Sequence, residues 1–184
     1  MASAAALIGS RGVEATSFSD VLAASRAPRG SIYHHFPGGK KELVREAMSW
    51  TTEQILAYQR ACTARTPAGV IDHFVDLFRS SMVTSGCRAG CPIAGVLVDT
   101  YSGDDDLLGN GRSSFRAWAA LLSSQLAATG VARPIARSLA VTSLASAEGA
   151  LILCRAEQSV RPLNVVATQL RQMASAVRRE PTRR

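Results

Sequence analysis

Apolar residues recur at helical spacing along most of this 184-residue chain, and no segment alternates as a half-buried strand would. That pattern confines the chain to an all-α fold. From Lys40 onward, Val44, Ala47, Met48, Thr51, Ile55, Tyr58 and Cys62 share one face of a long helix. Thr66 and Pro67 open the next, whose stripe is Ile71, Phe74, Val75, Phe78 and Met82. Residues 85–92 are a break, and a short helix is expected from Ile93 to about Tyr101. "SGDDDLLGNG" reads as a loop or a fraying helix start, with Asp104, Asp105 and Asp106 solvated. Phe115, Trp118, Ala119, Leu122 and Leu126 mark a further helix that ends near Gly130. Pro134 opens a helix that is apolar on most faces, through Leu139, Leu144, Gly149 and Ile152. A helix of that kind has to be covered, by the core or by another chain. Pro162 starts the last, with Leu163, Val166, Leu170, Met173 and Val177 on one side.

With 47% hydrophobic residues the chain can build a buried core. Lys and Arg outnumber Asp and Glu by 21 to 14, which favours polyanionic partners: nucleic acid or an anionic membrane surface. There is no unbroken apolar run of about 18 residues, so no membrane span is expected. The opening "MASAAALIGSRG" lacks the charged start and long apolar stretch of a signal peptide. Cys62, Cys87, Cys91 and Cys154 are too scattered for a disulfide framework, so we expect reduced thiols and a cytoplasmic protein. No Gly-rich phosphate cradle, nucleophile elbow or paired catalytic carboxylates appear, so neither an enzyme nor a cofactor is expected.

The chemistry-bearing stretch is "ATSFSDVLAASRAPRGSIYHHFPGGKKEL". Ser17 and Asp20 have capping-box spacing, and Phe18, Val21 and Leu22 supply a buried face behind them. Pro28 suits the first position of a second short helix, which Ile32 and Phe36 pin to the first. Arg29, Gly30, Tyr33 and His34 are left pointing outward, with Ser31 and His35 at the sides. Cationic and hydroxyl donors around a glycine are what a recognition helix offers to the major groove of double-stranded DNA. Lys40 and Lys41 open the following helix, where amides and ammonium groups can hold a phosphate. The pair is a helix-turn-helix. The alternative is a buried helical hairpin whose histidines satisfy core hydrogen bonds.

The stretch from Thr16 to Lys40 resembles the DNA-binding domain of TetR-family transcriptional regulators. "CRAGCPIAG" and "AEGALILCRAE" further resemble the LmrA/YxaF-like branch. The resemblance implies an N-terminal three-helix DNA-binding domain (1–45), a larger C-terminal helical domain for effector binding and dimerisation (46–178), and a disordered basic tail (179–184). It implies a homodimer on a palindromic operator, released by a small apolar or aromatic effector, with repression the family's common mode. It assigns Thr16 and Ser17 to phosphates, Arg29 and Ser31 to base edges, Tyr33, His34 and Lys40 to the backbone, and His35 to contact or packing; Gly30 permits close approach. Two departures stand out. The chain opens partway through the family's first helix with no basic segment before it, and Arg26 stands where glycine is usual. Arg26 is either strained at positive φ or adds a phosphate contact.

Trp50, Phe74, Phe78, Met82, Trp118 and Leu122 are candidates to line an effector pocket, or they simply fill the core. Leu144, Glu148, Gly149, Ile152, Val166 and Leu170 are candidates for a dimer seam. Glu148 interrupts the most apolar helix and must be paired, solvated or ligand-facing. Cys87 and Cys91 have metal-like spacing but no second ligand pair, so no metal site is expected. A thiol switch at these two remains an alternative mechanism, as does an all-α enzyme or carrier with a purely structural N-terminal hairpin.

Overall fold

The computed structural model describes residues 1–28, 34–99 and 104–177. The helices it assigns there are α1 (Ala2–Arg11), α2 (Phe18–Ser25), α3 (Gly39–Arg60), α4 (Pro67–Thr84), α5 (Pro92–Asp99), α6 (Asp105–Ala128), α7 (Arg133–Glu157) and α8 (Arg161–Ala176). His34 and His35 are also helical. The expected all-α class and the helix starts at Thr66 and near Pro134 and Pro162 agree with this order. Thr66 caps α4, its hydroxyl accepting the Gly69 amide at 3.1 Å ahead of Pro67.

Of the two readings of the acidic run, the helix start holds, with Asp105 and Asp106 exposed. Asp105 begins α6, so the glycines of "LLGNG" lie inside a helix. Asp104 caps it, accepting the Leu107 amide at 3.3 Å, and Asp105 and Asp106 lie in the first turn, where the helix dipole favours negative charge. Gly111 packs closely: a Cβ there would stand 2.6 Å from a methyl of Leu97 on α5, so that side chain would have to shift. The short helix expected from Ile93 to Tyr101 is α5, ending at Asp99.

The chain forms two compact units that do not follow chain order. The first joins Met1–Gln54 to Gly90–Phe115, the second joins Ile55–Ala89 to Arg116–Arg184.

In the first unit α1 packs on α5 and α2. Ala4, Ala5 and Ile8 are buried, and two glycines bring backbones together. A Cβ at Gly9 would lie 2.4 Å from the Gly90 carbonyl oxygen, and one at Gly95 would lie 3.1 Å from that of Ile8. The Asp99 carboxylate accepts the Val13 amide at 2.6 Å, tying the end of α5 to the chain between α1 and α2.

In the second unit α4, α7 and α8 pack on one another. Val70, Ile71, Phe74, Val75, Phe78 and Met82 of α4 are buried, as expected of its stripe. On α7 the buried face runs through Leu139, Leu144, Ala147, Leu151 and Cys154. By length and composition α7 could cross a bilayer, but this face is packed in the unit's core. Apolar side chains also stand outside on α7 and α8, interspersed with polar ones: Ile135, Val141, Ile152, Leu153, Val165 and Met173 are exposed, Ile152 by 70%, alongside Arg137, Arg155, Gln169 and Arg171.

Candidate nucleic-acid interface

The connection before α2 is built as the capping box demands. The Ser17 hydroxyl accepts the Asp20 amide at 3.1 Å, and the Asp20 carboxylate accepts the Ser17 amide at 2.9 Å and its hydroxyl at 2.5 Å. The side-chain hydrogen bond from Ser17 and then the backbone one hold the Asp20 carboxyl below its usual 3.8, and Arg11, 3.8 Å away, adds to the effect. A group whose pKa is lower folded than unfolded contributes stability above the unfolded value and loses it as pH falls through the folded one. The Tm difference between wild type and Asp20→Asn is therefore expected to be constant above about pH 5 and to shrink below about pH 4, as followed by circular dichroism. A difference that stays constant down to about pH 2 would remove Asp20 from the ionised cap.

Arg26 ends α2 in the left-handed region, at φ 56° and ψ 27°. That is the strained alternative read from its replacement of glycine, and its side chain is exposed.

Thr16 is turned inward. It is 3% exposed, and its hydroxyl donates to the Gly12 carbonyl at 2.7 Å, so in the free protein the group assigned to a phosphate closes the α1–α2 connection. Ser17 is exposed. Arg29, Gly30, Ser31 and Tyr33, with Ile32, lie outside the described residues. His34 and His35 are exposed, their rings in edge contact at 5.8 Å.

The start of α3 carries both lysines. Lys40 donates from Nζ to the Glu14 carbonyl at 3.3 Å, which places its ammonium beside the α1–α2 connection. Lys41 pairs with Asp104 at 3.0 Å, and its hydrogen bond is the main reason the Asp104 carboxyl titrates below its usual range. Glu42 accepts the Gly38 amide at 2.8 Å, so one amide before α3 already has a carboxylate partner. Neither the Lys41 pair nor the Glu42 cap was read from the sequence; the Gly-Gly-Lys-Lys-Glu run was the available signal for the cap.

The candidate seam residues divide. Leu144 and Leu170 are buried within their own unit, because they fall on the faces that α7 and α8 turn toward each other and α4. Gly149 and Ile152 are exposed, and Glu148 and Val166 are half-buried. Of the candidate pocket residues, Phe74, Phe78, Met82, Trp118 and Leu122 are buried in the second unit, and Trp50 is half-buried in the first. Cys87, Cys91 and Cys154 are buried thiols and Cys62 is half-buried; burial pushes the Cys154 thiol up.

Comparison with known proteins identifies this arrangement. Residues 1–47 match the family model for bacterial regulatory proteins of the tetR family, and residues 67–169 match the transcriptional regulator LmrA/YxaF-like C-terminal domain. The HTH-type transcriptional regulator Rv0196 of Mycobacterium tuberculosis is 36% identical over 179 residues, 95% of this chain and 91% of the relative. A TetR transcriptional regulator from Legionella pneumophila superposes with a TM-score of 0.83 at 25% identity, over 94% of each chain. A cysteine mutant of the TetR-family regulator CifR, complexed with 26-base-pair double-strand operator DNA, shares the fold at a TM-score of 0.73 and 17% identity, over 96% of this chain and 93% of that one. The chain belongs to the TetR family of helix-turn-helix transcriptional regulators, with an LmrA/YxaF-like C-terminal domain. It is a DNA-binding regulator, not an enzyme.

Proposed function

We propose that the protein is a cytoplasmic, homodimeric repressor that binds a palindromic operator and releases it when a small molecule enters the second unit. The observation that carries the dimer is the exposed apolar surface of α7 and α8, with Ile152 70% exposed. Isolated exposed leucines are ordinary, but several large apolar side chains left exposed on two long neighbouring helices favour a partner. A second copy supplies one through the same surface, as closed twofold symmetry requires. Ile152, Leu153, Val141, Val165 and Met173 take the places in this seam that Leu144 and Leu170 cannot fill. The CifR complex with operator DNA supports the DNA half of the reading.

A dimer must present its two recognition helices about 34–36 Å apart, or a multiple of that, to reach successive major grooves. An effector that binds better to another spacing lowers operator affinity, and operator binding lowers effector affinity by the same factor. Phe74, Phe78, Met82, Trp118 and Leu122 make the second unit's interior suited to an apolar or aromatic effector. Trp50 is kept as a candidate on the resemblance alone.

The DNA-binding surface is tested at Lys40. Lys40→Ala is expected to weaken binding to every sequence alike and to lower the slope of log affinity against log salt by about one unit. Fluorescence anisotropy between about 50 and 200 mM salt measures it. An unchanged slope would show that Lys40 neutralises no phosphate.

A further inference from the structure

One side chain in the second unit is placed where nothing in the fold explains it. Gln59, near the end of α3, is 1% exposed, and both its carboxamide nitrogen and its carboxamide oxygen are buried without a hydrogen-bond partner. A buried amide with neither function matched is strongly unfavourable, and native interiors avoid it unless the group has another use. Its backbone, by contrast, is firmly held. The Gln59 carbonyl accepts from the Cys62 amide at 3.0 Å and from the Gln125 side chain at 2.5 Å.

These anchors define what surrounds the residue. Gln125 lies on α6 between Leu122 and Leu126, both fully buried, with Trp118 one turn before Leu122 on the same face. The preceding residue, Tyr58, stacks its ring on His73 of α4 with centroids 4.4 Å apart and 14° between planes. His73 Nε2 donates to the Tyr58 carbonyl at 3.0 Å. The next residue of α4, Phe74, is buried in edge contact with Phe78 at 5.2 Å. The elements that fix Gln59 are thus rich in aromatic and apolar side chains. Among the described residues no Asp, Glu, Lys or Arg is buried as a whole, although one carboxylate oxygen of Glu148 on α7 is buried.

We infer that the Gln59 carboxamide is the polar anchor of a ligand site in the second unit, reading a neutral, planar molecule that carries a hydrogen-bond donor beside an acceptor. A lactam or carboxamide edge has that pattern: its N–H meets the glutamine oxygen while its carbonyl accepts from the glutamine NH₂. Aromatic side chains on the elements that hold Gln59 suit a flat ring behind that edge, and an uncharged carboxamide matches a neutral partner. Identifying this ligand with the releasing effector rests on the function proposed above.

The test uses the full chain, with 2-quinolinone as the neutral bicyclic lactam and 1-methyl-2-quinolinone as its counterpart lacking the donor. Millimolar 2-quinolinone is expected to raise the Tm by about 2–4 °C, and the N-methyl compound to leave it unchanged. In Gln59→Leu and Gln59→Met the ligand-free Tm should rise, because an unmatched amide has been removed, and the lactam response should vanish. Three results would each overturn the inference: no lactam response in the wild type, an equal response to the N-methyl compound, or a response retained in both variants. A lower ligand-free Tm in both variants would also overturn it, by showing that the amide is already satisfied. If 2-quinolinone stabilises the protein through Gln59 yet leaves operator binding unaltered, the ligand site stands and the effector-release reading fails.

Discussion

Gly149→Leu is expected to convert the proposed dimer to a monomer and to abolish binding to a palindromic operator, with the fold of the chain intact. The residue is exposed on α7, and a Cβ placed there meets nothing within 4 Å in its own chain. The substitution therefore costs the monomer no packing, and leucine gains about 0.8 kcal/mol in helix propensity over glycine. Ile152 follows three residues on and is exposed on the same helix, so a leucine at 149 projects where the second copy's backbone would approach. Without the second half-site, binding should fall to the non-specific level, a loss of about 10³-fold or more. Weak, salt-sensitive binding by the intact helix-turn-helix should survive. Multi-angle light scattering measures the assembly, and an unaltered dimer would remove Gly149 from the seam.

Gly9→Ala is expected to be the most destabilising single methyl in the DNA-binding unit. The added Cβ would stand 2.4 Å from the Gly90 carbonyl oxygen, 3.1 Å from its carbon and 3.2 Å from the Pro92 nitrogen. All three are backbone atoms at the start of α5, so no side chain can rotate away and α1 must move off α5. Overpacking of that kind costs about 3 kcal/mol at the upper end of its usual range. For a chain of this length that is a fall in Tm of roughly 6–12 °C. Gly109→Ala is the control: it lies in α6, a Cβ there meets nothing within 4 Å, and it should be neutral or slightly stabilising. Differential scanning calorimetry of both variants decides the matter, and equal Tm values would show that α1 and α5 are not in backbone contact.

The helices were legible because their apolar residues repeat along a single face and their starts carry chemical signals. Ser17 with Asp20, and Thr66 with Pro67, announce themselves locally, and both cap as their spacing demands. Arg26 was legible for the opposite reason: it breaks the turn's usual glycine, and its φ of 56° carries the strain. The start of α6 was legible only as one of two readings, since an acidic run followed by glycines suits a loop as well as a helix start. The proposed seam was legible only in part. Periodicity names the apolar positions of a helix but not which of two apolar faces is turned inward, so Leu144 and Leu170 could not be told from Ile152. Thr16, Lys41 and Gln59 were opaque because what decides each is a partner, or the lack of one, that no local pattern encodes.

Selection of DNA from a random pool by the purified protein, followed by the mass of the complex on the selected duplex, tests the central claim most directly. The account predicts enrichment of a palindrome whose half-sites are centred about one helical turn apart or a multiple of it, bound by an even number of chains. Enrichment of a single asymmetric half-site by one chain would contradict it.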